Sequence, residues 1–233
     1  MKSSKSKKLV KNLIRRLCIN YDRFKYKTSE FVIVSNNCWG GEIYKRLGLP
    51  YNTPFIGLFI QGTDYLKLLH NFDYYMSLDP KFSVGDNEES VLTAKSLDYP
   101  VGMLGDIEIH FVHYKDSAEA SEKWMRRKER MLRIMNKNKY YFKIDDRDSG
   151  SSSSDLIIAF HGLKFTNKIS FGVKDLGFNN HIQIIQYSND ITVPDGVVLY
   201  NLAFRKFDAL AWIKSGKILS NRYSKIKSYI GIT

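Results

Sequence analysis

Four groups of residues have the types and spacing to do chemistry. Cys38 follows the apolar run Phe31-Val32-Ile33-Val34 and precedes Trp39-Gly40-Gly41-Glu42, so it stands where a strand gives way to a helix. A thiol at a helix start has its thiolate stabilised by the helix dipole, and beside a histidine it can act as a nucleophile. His110, His113 and His161 are candidate partners, but spacing joins none of them to Cys38. The alternative is a small buried residue beneath Trp39.

The second group is Asp145-Asp146-Arg147-Asp148, which ends another apolar run. Asp146 and Asp148 can share a divalent cation such as Mg²⁺ or Mn²⁺, which would bridge the phosphates of a nucleotide-linked sugar, and Arg147 can contact phosphate. An acidic turn closed by Asx hydrogen bonds is the plainer alternative. Third, Asp106, Glu108 and His110 alternate with Ile107, Ile109 and Phe111, placing two carboxylates and an imidazole on one strand face. That face could serve general acid–base work, or simply be the wet side of an antiparallel sheet. His113 falls on the opposite face by parity. Fourth, the loop Asn36, Asn37, Trp39, Gly40 and Gly41, with Tyr44 and Tyr51 nearby, suits a sugar or phosphate, because amides bind hydroxyls and aromatic rings stack on sugar faces.

Strands and helices must position these groups. The pattern predicts a strand over 31–34 and a helix over 40–47, then an extended segment over 53–60 and a helix over 64–76. A hairpin turns at Gly105-Asp106, a helix capped by Asp116 or Ser117 runs to about Asn136, and a core strand covers 139–144. Many arginines crowd the end of the 117–136 helix, as a solvated face or as a clamp for an anion such as phosphate. Repeated strand–helix units predict an α/β protein, three-layered α/β/α with a mixed sheet.

The charge of this 233-residue chain is +12, and it is uneven. Residues 1–27 carry ten Lys/Arg against Asp22 alone, and residues 214–233 carry five with no acid, leaving the residues between at −2. A nucleic-acid groove across the body is therefore not expected. Leu9, Val10, Leu13, Ile14, Leu17 and Tyr21 form an apolar stripe among lysines and arginines, and 217–230 repeats the pattern. Such helices can lie on an anionic membrane face or dock on their own domain. The expected organisation is a single domain over 28–213 with basic amphipathic extensions at 1–27 and 214–233. No apolar run approaches the roughly 20 residues that span a bilayer, no secretory signal is visible, and two separated cysteines suit a reducing cytoplasm.

Ser35-Asn36-Asn37-Cys38-Trp39-Gly40-Gly41, Pro54-Phe55-Ile56-Gly57-Leu58-Phe59, Tyr99-Pro100-Val101-Gly102, Gly105-Asp106-Ile107-Glu108-Ile109-His110-Phe111, Trp124-Met125-Arg126-Arg127 and Asp145-Asp146-Arg147-Asp148 occur in this order. As an ordered set they resemble a bacterial family of unknown function found among exopolysaccharide, capsule and lipopolysaccharide biosynthesis proteins. The resemblance runs from about Phe31 to about Trp212 and implies an α/β/α fold and a cytoplasmic role in building surface polysaccharide. The reading that follows is a sugar-modifying or glycosyl-transferring enzyme at the inner membrane face, acting on a sugar or nucleotide-sugar. A cysteine-dependent hydrolase or acyl transferase and a non-catalytic carbohydrate-binding protein are the alternatives.

Overall fold

A computed structural model describes residues 2–82, 97–147, 153–203, 206–219 and 222–230. Its centre is a four-stranded parallel sheet ordered β1-β5-β6-β7, formed by β1 (Val32–Ser35), β5 (Tyr140–Asp145), β6 (Lys168–Gly172) and β7 (His181–Gln183). Every residue of β1 and β5 is buried, as expected of parallel strands covered on both faces. Strand parity divides them: Val32, Val34, Tyr140, Phe142 and Ile144 enter one apolar core, and Ile33, Tyr141, Ile169 and Phe171 enter the other.

Helices cover the two faces. Over the first core lie α3 (Gly62–His70), α4 (Phe72–Ser77), α5 (Ser117–Leu132) and α6 (Ser153–Gly162). Over the second lie α2 (Trp39–Leu47), α7 (Gly196–Ala203) and α8 (Ala209–Ser215). The α/β expectation is met, with parallel and antiparallel strands divided between two sheets. The antiparallel sheet is β2 (Lys81–Phe82), β3 (Val101–Leu104) and β4 (Ile107–His110), turning at Gly105 with φ +65°. Chain direction matters for the site. After β1 the chain enters α2 on one face, and after β5 it enters α6 on the other. The carboxyl ends of these adjacent strands therefore border a topological switch point, where open α/β sheets leave a crevice for ligands.

Some elements differ from expectation. The 64–76 helix is broken at Asn71, whose φ of −123° is not helical, and 53–60 is extended chain bridged to β4 only at Phe59–His110. Helix α7 was not expected, because Val197-Val198-Leu199 reads equally as a strand. It packs so closely that a Cβ on Gly196 would lie 2.6 Å from the Trp39 backbone nitrogen.

The termini are also part of the body. Helix α1 (Lys2–Tyr26) lays its last turns on α2: Arg23 Nε donates to the Arg46 carbonyl at 2.9 Å and Tyr26 Oη to that of Leu210 at 2.8 Å. Asp22, buried, pairs with Arg46 at 2.8 Å and with Lys227 of α9 (Arg222–Ile230) at 3.3 Å, and Lys227 also reaches Asp208 at 3.2 Å. The expected boundaries at 27/28 and 213/214 therefore cut through one buried charge network rather than through linkers.

Candidate functional site

At the switch point four polar side chains, two from the loop that follows β1 and two from β5, lock together. Lys143, fully buried, donates to Asn36 Oδ1 at 3.1 Å, to Asn37 Oδ1 at 3.0 Å and to Asp145, with which it is in direct contact. Asp145 accepts from Asn36 Nδ2 at 3.1 Å and Asn37 Nδ2 at 2.7 Å. The ammonium's three donors thus meet three acceptors, the condition for burying a charge. Burial pulls the Lys143 ammonium down from the ordinary lysine value and Asp145 opposes the shift. Asn37 Oδ1 also accepts from the Trp39 N–H at 3.2 Å, so the lock holds the first residue of α2 and with it Cys38, the preceding cap residue.

Beside this lock is a cavity of about 370 Å³ lined by Cys38, Glu42, Lys45, Tyr51, His113, Tyr114, Lys123 and Arg127, with Ile56 and Val197 as apolar walls. Its volume is within the range of small-molecule sites. Arg127 is buried, receives no carboxylate in this pocket, and donates to Tyr114 Oη at 2.6 Å while lying 4.9 Å over the Tyr51 ring. Lys123 sits 5.6 Å over the Tyr114 ring and Lys45 reaches Glu42 at 2.6 Å. Gly57, at φ +71°, makes room, since a Cβ there would lie 3.2 Å from both His113 and Tyr114. Tyr51 and Arg127 also border an adjoining groove lined by Arg126, Arg130 and Arg133. Three cations from α2 and α5, two tyrosine rings and one thiol therefore converge on this space, with Lys45 paired to Glu42, Lys123 paired to Glu119, and Arg127 meeting the neutral Tyr114 hydroxyl and Ile56 carbonyl.

A model of the family described as a domain of unknown function, DUF1919, matches residues 9–214. This chain belongs to the DUF1919 family. It is also similar to an uncharacterized protein of Haemophilus influenzae (strain ATCC 51907 / DSM 11121 / KW20 / Rd), 36% identical over 161 residues that cover 69% of this chain and 70% of that one. The family match takes in all the cavity residues and most of α1.

The DUF1919 cavity puts Cys38 and His113 on one wall, although the thiol's hydrogen bond goes elsewhere, to the Leu58 carbonyl at 3.8 Å. Burial pushes the Cys38 thiol up, against smaller opposing effects of Lys143 and Lys45. A raised value means less thiolate at any given pH, so Cys38 is a protonated, half-buried thiol at neutrality. Iodoacetamide should accordingly label the Cys38 peptide more slowly at pH 7 than it labels a free thiol, with a rate still climbing above the roughly 8.5 at which a free thiol titrates. Peptide mapping by mass spectrometry checks this, and rapid labelling at pH 7 would contradict it.

The other candidates in this DUF1919 chain are distributed differently. Trp39 is fully buried, edge-on to Trp212 and Tyr200 and near Phe171 and Phe207, so it cannot stack on a sugar. Asn36 and Asn37 spend their amides on the lock. Gly40 is a packing position whose Cβ would meet Ile33 at 2.7 Å, whereas Gly41 lines the cavity. Asp146 accepts the N–H of Val173 at 2.7 Å on one oxygen and of Val193 at 2.8 Å on the other, and burial raises its carboxyl. It ties two loops together through both oxygens; Asp148, its expected partner in holding a cation, lies outside the described residues. Arg147 donates its backbone N–H to Asp145 Oδ1 at 3.3 Å.

Asp106, Glu108 and His110 lie away from the cavity lining. Asp106 is taken by Lys67 at 2.5 Å and Tyr75 at 2.8 Å, Glu108 reaches His110 at 2.7 Å, and His110 stacks on Phe59 at 4.2 Å. His161 is engaged by Ser170 at 2.7 Å, which in turn meets His181 at 2.8 Å, and burial lowers the His161 imidazole to about 4. Of the three histidines weighed as partners for Cys38, only His113 shares its cavity.

Proposed function

We propose that this chain binds a phosphorylated or nucleotide-linked sugar in the Cys38–Arg127 cavity and modifies or transfers it, as a cytoplasmic step in building cell-surface polysaccharide. One observation carries the reading: Lys45, Lys123 and Arg127 meet Tyr51 and Tyr114 in one small cavity at the switch point. Guanidinium and ammonium groups recognise phosphate, and tyrosine faces and hydroxyls suit a sugar ring. The adjoining groove could take a second anionic group, because Arg130 is held below its ordinary value by burial and by Arg126, Arg127 and Arg133 around it. His113, within the cavity, is the available general acid–base group, and the neutral Cys38 thiol a weak donor.

Cys38 and His113 on one wall also support the second reading, an acyl transferase or hydrolase that forms a thioester on Cys38. Titration calorimetry with nucleotide-sugars, sugar phosphates and unphosphorylated sugars separates them. Under the first reading a phosphorylated sugar binds, binding survives a chelator, and K123M with K45M weakens it by about 10- to 100-fold, the loss of a charge-assisted hydrogen bond or two. Failure of the whole panel to bind, or indifference to both substitutions, would refute it. Binding without turnover, unaffected by H113Q, would leave a carbohydrate-binding protein.

A further inference from the structure

Helix α1 carries a second surface that the cavity does not explain. Leu9, Val10, Leu13, Ile14, Leu17, Tyr21 and Phe24 are all exposed, Phe24 to 82% and Leu9 to 70%. At 3.6 residues per turn these seven fall within a sector of about 140°, a stripe rather than a scatter. The residues that α1 buries, Asp22 and Tyr26, lie on the other side of the same helix, tied to Arg46, Lys227 and Leu210. The body is therefore packed against the polar side, and the apolar stripe faces outward. This removes the alternative that the stripe docks on its own domain.

Charge says what covers it. Residues 1–21 contain no acid, and by the same spacing Arg16 and Lys25 border the stripe on its two edges. Helix α9 lies alongside, with Tyr21 and Tyr223 edge to face at 5.5 Å, and adds exposed Ile226 beside Arg222 and Lys225. The two basic amphipathic ends thus share one side of the molecule. No helix among the described residues is long and apolar enough to cross a membrane. We infer that the α1–α9 side docks in the plane of an anionic lipid surface, with the Leu9–Phe24 stripe among the acyl chains and the flanking cations on lipid phosphates. A second copy of this chain would bring like charges together and is disfavoured.

This inference stands apart from the sugar reading, because its test needs no substrate. The full chain is floated with phosphatidylcholine vesicles containing or lacking phosphatidylglycerol. Binding should require phosphatidylglycerol and weaken with salt, each cation contributing about fivefold. L13S with L17S should reduce binding at least about tenfold at an unchanged unfolding midpoint, since both positions are exposed. Failure to float with anionic vesicles at low salt would overturn the inference, as would equal binding to neutral ones. A lipid-free dimer in analytical ultracentrifugation that L13S/L17S dissolves would assign the stripe to a second copy instead.

Discussion

Replacing Lys143 with methionine should cost about 3–5 kcal/mol, read as a lowered urea midpoint at unchanged slope. Methionine fills much the same volume, so the cost is electrostatic. It leaves the Asp145 carboxylate buried with neutral donors alone, the two asparagine amides and the Arg147 backbone N–H, strips Asn36 Oδ1 of its lysine donor and leaves Asn37 Oδ1 only the Trp39 N–H. Against a total stability of about 5–15 kcal/mol, that is a large fraction. The double variant K143M/D145N removes both charges and should be less damaging than K143M alone, a coupling that a packing loss at Lys143 would not produce. Because Lys143 is also the larger of the two charges that lower the Cys38 thiol against its burial, Cys38 should alkylate more slowly in K143M. A midpoint shift worth less than about 0.5 kcal/mol, within the range of ordinary surface substitutions, would show that the pair does not matter.

Sequence periodicity reaches this lock only in part. The strand that leads to Asn36 and the strand that carries Asp145 are visible as β-branched and aromatic runs, and their order along the chain is compatible with an α/β sheet. Their adjacency is not visible: β1 pairs with β5 across the 108 positions that separate Val32 from Tyr140, and no local pattern encodes a parallel pairing of that separation. Lys143 was hidden for a related reason. A lysine in Tyr140–Asp145 reads as the solvent side of a strand until a partner carboxylate and two amides arrive from elsewhere. The cavity is similar, since Lys45, Tyr51, His113 and Arg127 come from different segments, and only the crowding of arginines in α5 hinted at an anion. Likewise, sequence shows the position of the Asp146 carboxylate but not the Val173 and Val193 N–H groups that its two oxygens accept. Trp39 misled, because an aromatic residue in a glycine loop looks exposed when the core that takes it, from Phe171 to Trp212, lies more than a hundred residues on.

The second large effect concerns how α1 is held. Asp22 and Asp208 face Arg46 and Lys227 in a buried cluster of four charges, and Asp208 also caps α8 through the Leu210 and Ala211 N–H groups at 3.0 and 3.3 Å. D22A takes away the buried carboxylate that Arg46 and Lys227 both meet and is expected to cost about 3–5 kcal/mol in urea denaturation. D22A/K227M restores balance within the cluster and should recover part of that loss, whereas additive effects would mean that the two residues act separately. The same network decides which truncation is informative. Removing residues 1–27 takes away Asp22, Arg23 and Tyr26, and should lower stability by at least as much as D22A, whatever it does to lipid binding. Removing residues 1–16 spares all three, and the side chains described within it, at 9, 10 and 12–16, are all exposed, so the midpoint should hold while vesicle binding falls. If the shorter truncation unfolded the chain, the stripe residues Leu9, Val10, Leu13 and Ile14 would have to carry packing that their exposure denies. The charge network thus gives the helix a rigid root on α2 and α9 and fixes the direction in which its apolar side faces, which a freely hinged basic tail could not do.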